Sequence, residues 1–170
     1  MPVASKHGST VVAIYELVAY VGGKGIKNTI GINLGGSVQL EDVSATMVEA
    51  THSAAAQDEN GTHYVGVATG FVLSVRNGPV LYHAGDTNVF GDMKLIAQLY
   101  HPDVAMLPIG GFYTMGPKEA ALAAQLLEPK MVLPIHFGTF PPLTGTPQQL
   151  SDQIGKTIEV RPWTPGETIR

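Results

Sequence analysis

Three side chains of metal-binding type stand where predicted strands end. His52 and Asp86 each come just after a predicted strand, and His136 ends the otherwise apolar run Val132–Ile135. Sites in layered folds usually lie where strands run into loops. Two imidazoles and a carboxylate form a mixed nitrogen and oxygen donor set that suits zinc, manganese or iron. A metal held by them would lower the pKa of a bound water to about 7 and supply hydroxide at neutral pH.

The same side chains also have a structural interpretation. His52 would cap a local backbone segment, Asp86 would form a turn, and His136 would lie at the edge of the core. His83, in the same segment as Asp86, is predicted either to orient that carboxylate or to be a buried structural histidine. Spacing alone leaves these alternatives open.

The remaining histidines are weaker candidates. His7 and His101 are predicted to lie on the surface, whereas His63 is predicted to face the site from a loop. The absence of cysteine excludes disulfides, thiolate zinc sites and cysteine nucleophiles. No Gly-x-Ser-x-Gly sequence occurs, and Gly22–Gly25 lacks the spacing of a phosphate-binding loop. Metal chemistry is therefore the main enzymatic hypothesis.

Composition predicts one globular domain over residues 1–170. Hydrophobic residues make up 44% and charged residues 14% of the chain, enough for a buried core. A net charge of −4 without a run of Lys or Arg argues against nucleic-acid binding. No apolar run is long enough to span a membrane, and the N-terminus lacks an apolar signal core. We therefore expect a cytoplasmic protein that does not bind membranes.

Apolar periodicity and turn residues predict the elements that position these side chains. The dipeptide Asn77-Gly78 is a strong hairpin signal. From Gly91 onward helices alternate with buried strands, as in a layered α/β arrangement. The predicted strands are Val11–Ile14, Ser37–Leu40, Ala45–Ala50, Gly66–Arg76, Pro79–Tyr82, Val104–Ile109, Met131–Ile135 and Thr157–Val160. The predicted helices are Tyr15–Val21, Met93–Tyr100, Pro117–Leu127 and Gln148–Ile154, while Gly31–Gly36 and Gln57–Gly61 are predicted as loops.

Several stretches together resemble the metal-dependent hydrolase branch of the metallo-β-lactamase superfamily, related to the ascorbate-6-phosphate lactonase group. The most specific of them is Tyr82–Ile96, which contains His83-Ala84-Gly85-Asp86-Thr87. The others are Val12–Leu17, Gly31–Gly36, the segment around His52, Pro102–Ala120 and Val132–Pro141. The resemblance covers almost the whole chain.

The resemblance implies an α+β fold, the αββα sandwich of the metallo-β-lactamase type, with a metal site along one sheet edge. It implies that Asp86 bridges two metals, that His52 completes the ligands of the first, and that His136 completes those of the second. Asp86 and His136 would then act in catalysis. The implied cofactor is a divalent metal, with zinc or manganese expected.

One motif of the family does not occur in this sequence. The family carries His-x-His-x-Asp-His upstream of the matching stretches, and the 170 residues contain no such motif. The resemblance therefore predicts an N-terminally truncated domain without the first strands of the sandwich. We expect this chain to bind metal weakly or not at all. Exposed sheet edges favour a homo-oligomer or a partner chain that covers them.

The leading functional hypothesis is a hydrolase of esters, lactones or phosphoesters that uses a metal-bound hydroxide. A non-catalytic scaffold or subunit that retains the fold is the alternative from another class, and a metal-independent esterase is a third. Phe112, Tyr113 and Phe137 are predicted to bind a small-molecule substrate at the pocket rim. The apolar character of that rim argues against a highly charged substrate.

Overall fold

The computed structural model describes residues 2–168, and the side chains of residues 2, 3 and 5 are not part of that description. The helices are α1 (Pro2–His7), α2 (Tyr15–Gly23), α3 (Met93–Tyr100), α4 (Pro117–Leu127) and α5 (Pro147–Ile154). The strands are β1 (Val11–Ile14), β2 (Thr29–Ile32), β3 (Ser37–Leu40), β4 (Val43–Glu49), β5 (Ala55–Asp58), β6 (Gly61–Tyr64), β7 (Thr69–Val75), β8 (Val80–His83), β9 (Val104–Pro108), β10 (Met131–Ile135) and β11 (Glu159–Val160). No helix within residues 2–168 is both long enough and apolar enough to cross a membrane.

A seven-stranded mixed sheet in the order β11-β10-β9-β8-β7-β4-β3 forms the centre of the structure. Neighbours β8, β9, β10 and β11 are parallel, while β7 is antiparallel to both β8 and β4. The parallel strands are connected through helices, as parallel pairing requires. The strand β4 therefore runs in the same direction as β8, β9 and β10.

One face of this sheet packs against α3, α4 and α5. Val72, Tyr82, Ala105 and Val132 lie in register across four strands and are at most 1% exposed. They belong to one buried cluster with residues of all three helices, including Met93, Ala120 and Leu150. Since successive side chains of a strand point to opposite faces, this row fixes which residues face the helices.

The opposite face of the sheet carries a second row of side chains, which is apolar except for His83. Met47, Phe71, His83, Met106 and Leu133 are in register across β4, β7, β8, β9 and β10. The two-stranded parallel sheet of β1 and β2, with α2 beside it, lies on this side, and Val12 shares a cavity with Phe71. The structure thus has helices on one face of the large sheet and a small second sheet on the other.

The observed elements confirm most of the predicted strands and helices. The predicted bounds of β1, β3, β10, α3 and α4 agree with those observed. Two predicted loops are confirmed only in part. Residues 33–36 and 59–60 lie outside strands, whereas Gly31 and Ile32 belong to β2 and the rest of Gln57–Gly61 belongs to the paired strands β5 and β6. The helix Pro2–His7 was not predicted. The Asn77-Gly78 hairpin is confirmed, because β7 and β8 pair around it and Asn77 has a φ of 56°.

The Tyr82 hydroxyl is buried in the core without a hydrogen-bond partner among the described residues. Burial also raises the pKa of this phenol. An unpaired buried hydroxyl is destabilising, so Tyr82→Phe should leave the free energy of unfolding unchanged or raise it by up to about 1 kcal/mol. Urea denaturation measures this value.

Tyr82→Ala is the comparison variant, because it removes the ring as well as the hydroxyl. Loss of a buried aromatic ring costs about 3–5 kcal/mol. A loss of more than about 1 kcal/mol in Tyr82→Phe would show that the hydroxyl is paired in solution.

A polar cluster around Asp58 connects the β5–β6 hairpin to α2. The Asp58 carboxylate accepts hydrogen bonds from the Tyr20 hydroxyl at 2.9 Å and from the backbone N–H of Asn60 at 2.8 Å. Lys24 Nζ lies 2.7 Å from Asp58 Oδ2, and His63 Nε2 lies 2.8 Å from Oδ1. The Lys24 ammonium, with further contributions from His63 and Asn60, holds the pKa of Asp58 well below its ordinary value of 3.8.

Because of the Asp58 cluster, we expect the stability of the fold to decrease at acidic pH. A carboxyl group whose pKa is lower in the folded state stabilises the fold above its unfolded pKa, and that contribution is lost as the pH falls below it. Thermal unfolding should therefore show a loss of wild-type stability below about pH 3.8 that is weaker in Asp58→Asn. Asp42→Asn, at an exposed carboxylate, is the matched control. Equal acid dependence in wild type and Asp58→Asn would contradict the assignment.

Candidate metal centre

The loops that carry the candidate ligands meet at one edge of the large sheet. The strands β4, β8, β9 and β10 run in the same direction, so their C-terminal ends lie at the same edge. His52 follows β4, Asp86 follows β8, Phe112 follows β9, and His136 follows β10 directly. We call this edge, with the loops after these four strands, the site edge. The predicted positions of His52, Asp86 and His136 after strands agree with the observed strand bounds.

The structure brings Asp86 and His136 together at the site edge. His136 Nε2 lies 3.7 Å from Asp86 Oδ2, and the two side chains are 27% and 54% exposed. The other ring nitrogen of His136, Nδ1, is buried without a hydrogen-bond partner among the described residues. His136 has a φ of 54°, in the left-handed region that residues with a side chain rarely adopt. Such backbone conformations cluster at functional sites.

His52 lies at the same edge but makes different contacts. Its Nδ1 lies 2.9 Å from the carbonyl oxygen of Ser53, and its Nε2 lies 3.0 Å from the carbonyl oxygen of Tyr113. A neutral imidazole has one N–H, so it can donate to only one of these oxygens. His52 and Asp86 line a common cavity of about 660 Å³. Within residues 2–168, however, no three side chains of His, Cys, Asp or Glu are close enough together to hold one ion.

Thr87, next to Asp86, connects three loops of the site edge. Its side chain is fully buried, and its Oγ1 accepts a hydrogen bond from the backbone N–H of Thr51 at 2.9 Å. The Thr87 carbonyl oxygen accepts one from the N–H of Met115, and Asn88 N–H donates to the Thr51 carbonyl oxygen. The loop before His52 is thereby fixed to the loop that contains Asp86.

The predicted substrate-binding aromatics also lie at the site edge. The rings of Phe112 and Tyr113 meet edge to face, with centroids 4.7 Å apart. Phe112 is 76% exposed and has a φ of 61°, so an apolar ring projects into solvent from a conformation unusual for its residue type. Phe137 follows His136 directly and packs partly against the core. These aromatic residues all lie in the loops of the site edge.

The structure places His83 near the candidate ligands and His63 away from them. His83 remains near Asp86: its Nδ1 accepts a hydrogen bond from the backbone N–H of Gly85 at 3.1 Å. Desolvation lowers the pKa of His83, and the charge of Asp86 partly opposes that shift. His63 contacts Asp58 instead of facing the site edge, so that prediction is wrong.

Comparison with known proteins identifies the family of this chain. Residues 9–136 match the sequence profile described as "Beta-lactamase superfamily domain". A "UPF0173 metal-dependent hydrolase" of Koribacter versatilis is 48% identical over 166 residues, which are 98% of this chain and 71% of that protein. The chain belongs to the UPF0173 family of the beta-lactamase superfamily. A relative from Methanopyrus kandleri, with the same family name, is 42% identical over 98% of this chain and 73% of its own length.

Solved structures of this superfamily share the fold. Igni18, a metallo hydrolase from Ignicoccus hospitalis, matches 98% of this chain and 70% of its own with a TM-score of 0.86 at 36% identity. A metal-dependent hydrolase from Parabacteroides distasonis matches 92% of this chain and 64% of its own with a TM-score of 0.67 at 25% identity. The predicted α+β fold of the metallo-β-lactamase type is therefore confirmed.

The residues of this UPF0173 chain fit part of a metal site. Two atoms that each lie about 2.0–2.2 Å from one tetrahedral zinc ion are about 3.4 Å apart. The 3.7 Å between His136 Nε2 and Asp86 Oδ2 is close to that separation. Catalytic zinc sites normally have three protein ligands, so this pair supplies two of them. His52 could add a nitrogen only if its ring left the Tyr113 carbonyl oxygen.

Sequence reasoning missed two residues near the site. Thr87 was interpreted only as part of the motif around Asp86, because its burial and its hydrogen bond from Thr51 are properties of the folded structure that the local sequence does not show. Trp163 lines a cavity together with His136. Nothing in its local sequence indicated this, because the two positions are brought together by the pairing of β10 with β11.

Proposed function

We propose that this chain provides the catalytic half of a metal-dependent hydrolase of esters, lactones or phosphoesters. The observation that carries the proposal is the Asp86–His136 pair, whose separation suits two ligands of one divalent cation. The family name of the curated relatives, "metal-dependent hydrolase", supports the reaction class. We further propose kinship with the ascorbate-6-phosphate lactonase group.

The residues have separate roles in this proposal. Asp86 and His136 would hold the cation, and His52 would add a nitrogen only if its ring turned away from the Tyr113 carbonyl oxygen. A divalent cation lowers the pKa of water that it binds and so supplies hydroxide at neutral pH. Thr87 keeps the His52 and Asp86 loops at a fixed separation, while Phe112 and Tyr113 exclude water on one side of the substrate.

The described residues supply too few ligands for a complete metal site. Of the three candidate ligands, only Asp86 and His136 are placed to share a cation in the observed geometry, because the His52 ring contacts the Tyr113 carbonyl oxygen. Two protein ligands do not complete a catalytic zinc site. The proposal therefore assigns the remaining ligands to a His-x-His-x-Asp-His segment, which these 170 residues do not contain. It follows that this chain by itself should bind zinc or manganese weakly.

The test is hydrolysis of p-nitrophenyl acetate by the purified, folded chain after loading with zinc or with manganese. We expect activity that rises with metal concentration without saturating at one equivalent, and that disappears on chelation. Absence of hydrolysis at all metal concentrations would contradict the proposal for this chain. Activity that survives chelation would favour a metal-independent esterase.

A non-catalytic scaffold is the second candidate function. It is favoured by the contacts of His52, whose two ring nitrogens both lie near backbone carbonyl oxygens. On this account His52 is a structural residue that fixes the loop after β4 to the loop after β9. His52→Ala would then destabilise the fold, whereas Asp86→Ala would change neither stability nor assembly.

A further inference from the structure

A second cavity adjoins the candidate metal centre on the side of β10. It has a volume of about 660 Å³ and lies between His136 with its following loop and the segment that contains Trp163. The strand β11 pairs with β10 only at Met131 and Val132, and the last backbone contact runs from Arg161 N–H to the Val132 carbonyl oxygen. Beyond that point the two segments separate, and the cavity opens between them.

The described lining of this cavity is largely apolar. Ile135, Phe137, Trp163 and Pro165 contribute to the walls. The two threonines of the lining are engaged elsewhere. Thr164 donates from its N–H and its hydroxyl to Glu167 Oε2 at 3.0 and 3.3 Å, and the Thr139 hydroxyl donates to the Phe137 carbonyl oxygen at 3.5 Å. Among the described residues of the lining, His136 is the one with an ionisable side chain.

We propose that this cavity binds an uncharged apolar group of the substrate, an aromatic ring in particular. The inference rests on the proposed function, because it is His136 that joins the cavity to the metal centre. A volume of about 660 Å³ lies within the range typical of small-molecule pockets. Aromatic side chains favour ring ligands through offset or edge-to-face contact. A neutral group is selected because a buried charge without a partner is costly.

The arrangement fixes the orientation of the substrate. The ring lies against Trp163 and Phe137, and the bond to be cleaved points toward the Asp86–His136 pair. Trp163 thus determines specificity and takes no part in bond cleavage. The substrate class becomes a neutral ester or lactone with an aromatic or bulky apolar substituent.

Trp163 is the single tryptophan of the chain, so its fluorescence reports on this cavity directly. The probe is phenylacetamide, a neutral aromatic amide, and acetamide is the control that lacks the ring. Titrations are carried out with the full chain in the presence of a chelator, so that no metal is required. We expect a saturable change in Trp163 emission with phenylacetamide, and a dissociation constant at least about tenfold lower than that for acetamide.

Two variants assign the binding to the cavity. Thr139→Phe places a ring in the lining and should weaken phenylacetamide binding about tenfold or more. Thr62→Phe makes the same change at an exposed position of β6 and should leave binding unchanged. Calorimetry on Trp163→Ala provides a second measurement should Thr139→Phe not fold, and it should show the same loss of affinity.

Three results would overturn the inference. These are an unsaturable fluorescence change, equal responses to phenylacetamide and acetamide, or unchanged affinity in both cavity variants. Because binding is measured without metal, these results leave the proposed hydrolysis standing. Saturable ring binding by a chain that hydrolyses no ester would instead support the cavity and contradict the proposed function.

Discussion

Asp86→Asn is expected to weaken zinc binding by more than the roughly 10–100-fold typical of a residue that only supports a metal ligand. The substitution keeps the size of the side chain but removes the charge that, in our proposal, holds the cation with His136. Asp86 is 54% exposed, so the free energy of unfolding should change by no more than about 0.5 kcal/mol. Calorimetric titration of metal-free protein with zinc measures the affinity, and urea denaturation measures the stability.

Asp92→Asn is the matched control for this experiment. Asp92 is exposed, stands at the start of α3 and makes no capping hydrogen bond through its side chain. Its substitution should leave zinc affinity unchanged. Equal zinc affinity in wild type, Asp86→Asn and Asp92→Asn would contradict the proposed ligand and favour the scaffold.

Gly110→Ala is expected to lower the free energy of unfolding by about 3 kcal/mol, because overpacking of a buried position costs about 1–3 kcal/mol and sometimes more. Gly110 is buried where β9 leads into the site edge. A Cβ atom there would collide with the carbonyl oxygen of His136 and approach Leu143 side-chain carbons to 3.1 Å. The backbone of His136 must then move, so zinc affinity should fall as well.

Gly91→Ala is the control, since a Cβ atom at this exposed glycine meets nothing within 4 Å. Its effect on stability should lie within about 0.5 kcal/mol. Urea denaturation followed by Trp163 fluorescence compares the two variants. A loss below about 1 kcal/mol in Gly110→Ala would show that the contact between the β9 and β10 loops relaxes without cost.

The sequence predicted the bounds of a strand or helix correctly where the apolar pattern and the turn residues at its ends lie within that segment. The apolar run Met131–Ile135 and the Pro117–Leu127 helix have the predicted bounds. The parallel strand β2 was missed because it depends on pairing with β1, in which Val12 lies opposite Ile30. The β5–β6 hairpin was missed because its polar tip is stabilised by contacts of Asp58 with α2, which local propensity does not contain.

For the candidate site, the sequence predicted the positions of the residues but not the contacts between them. Strand direction places His52, Asp86 and His136 at one edge, which the sequence had indicated from their positions after strands. The contact of His52 with the Tyr113 carbonyl oxygen was not predictable, because it joins a side chain of one loop to the backbone of a loop that is distant in the sequence. The role of Thr87 likewise depends on its hydrogen bond from Thr51. The expected homo-oligomer or partner chain and the cytoplasmic location stay predictions.

The central claim is that Asp86 and His136 bind one cation together, and nuclear magnetic resonance of ¹⁵N-labelled imidazoles during a zinc titration tests it most directly. The chain has six histidines, and the signal that is lost in His136→Gln identifies the imidazole of His136. We predict that zinc shifts the Nε2 resonance of His136 and that Asp86→Asn abolishes the shift at the same zinc concentration. An unchanged His136 resonance while zinc perturbs other histidines, or a shift that persists in Asp86→Asn, would contradict the account.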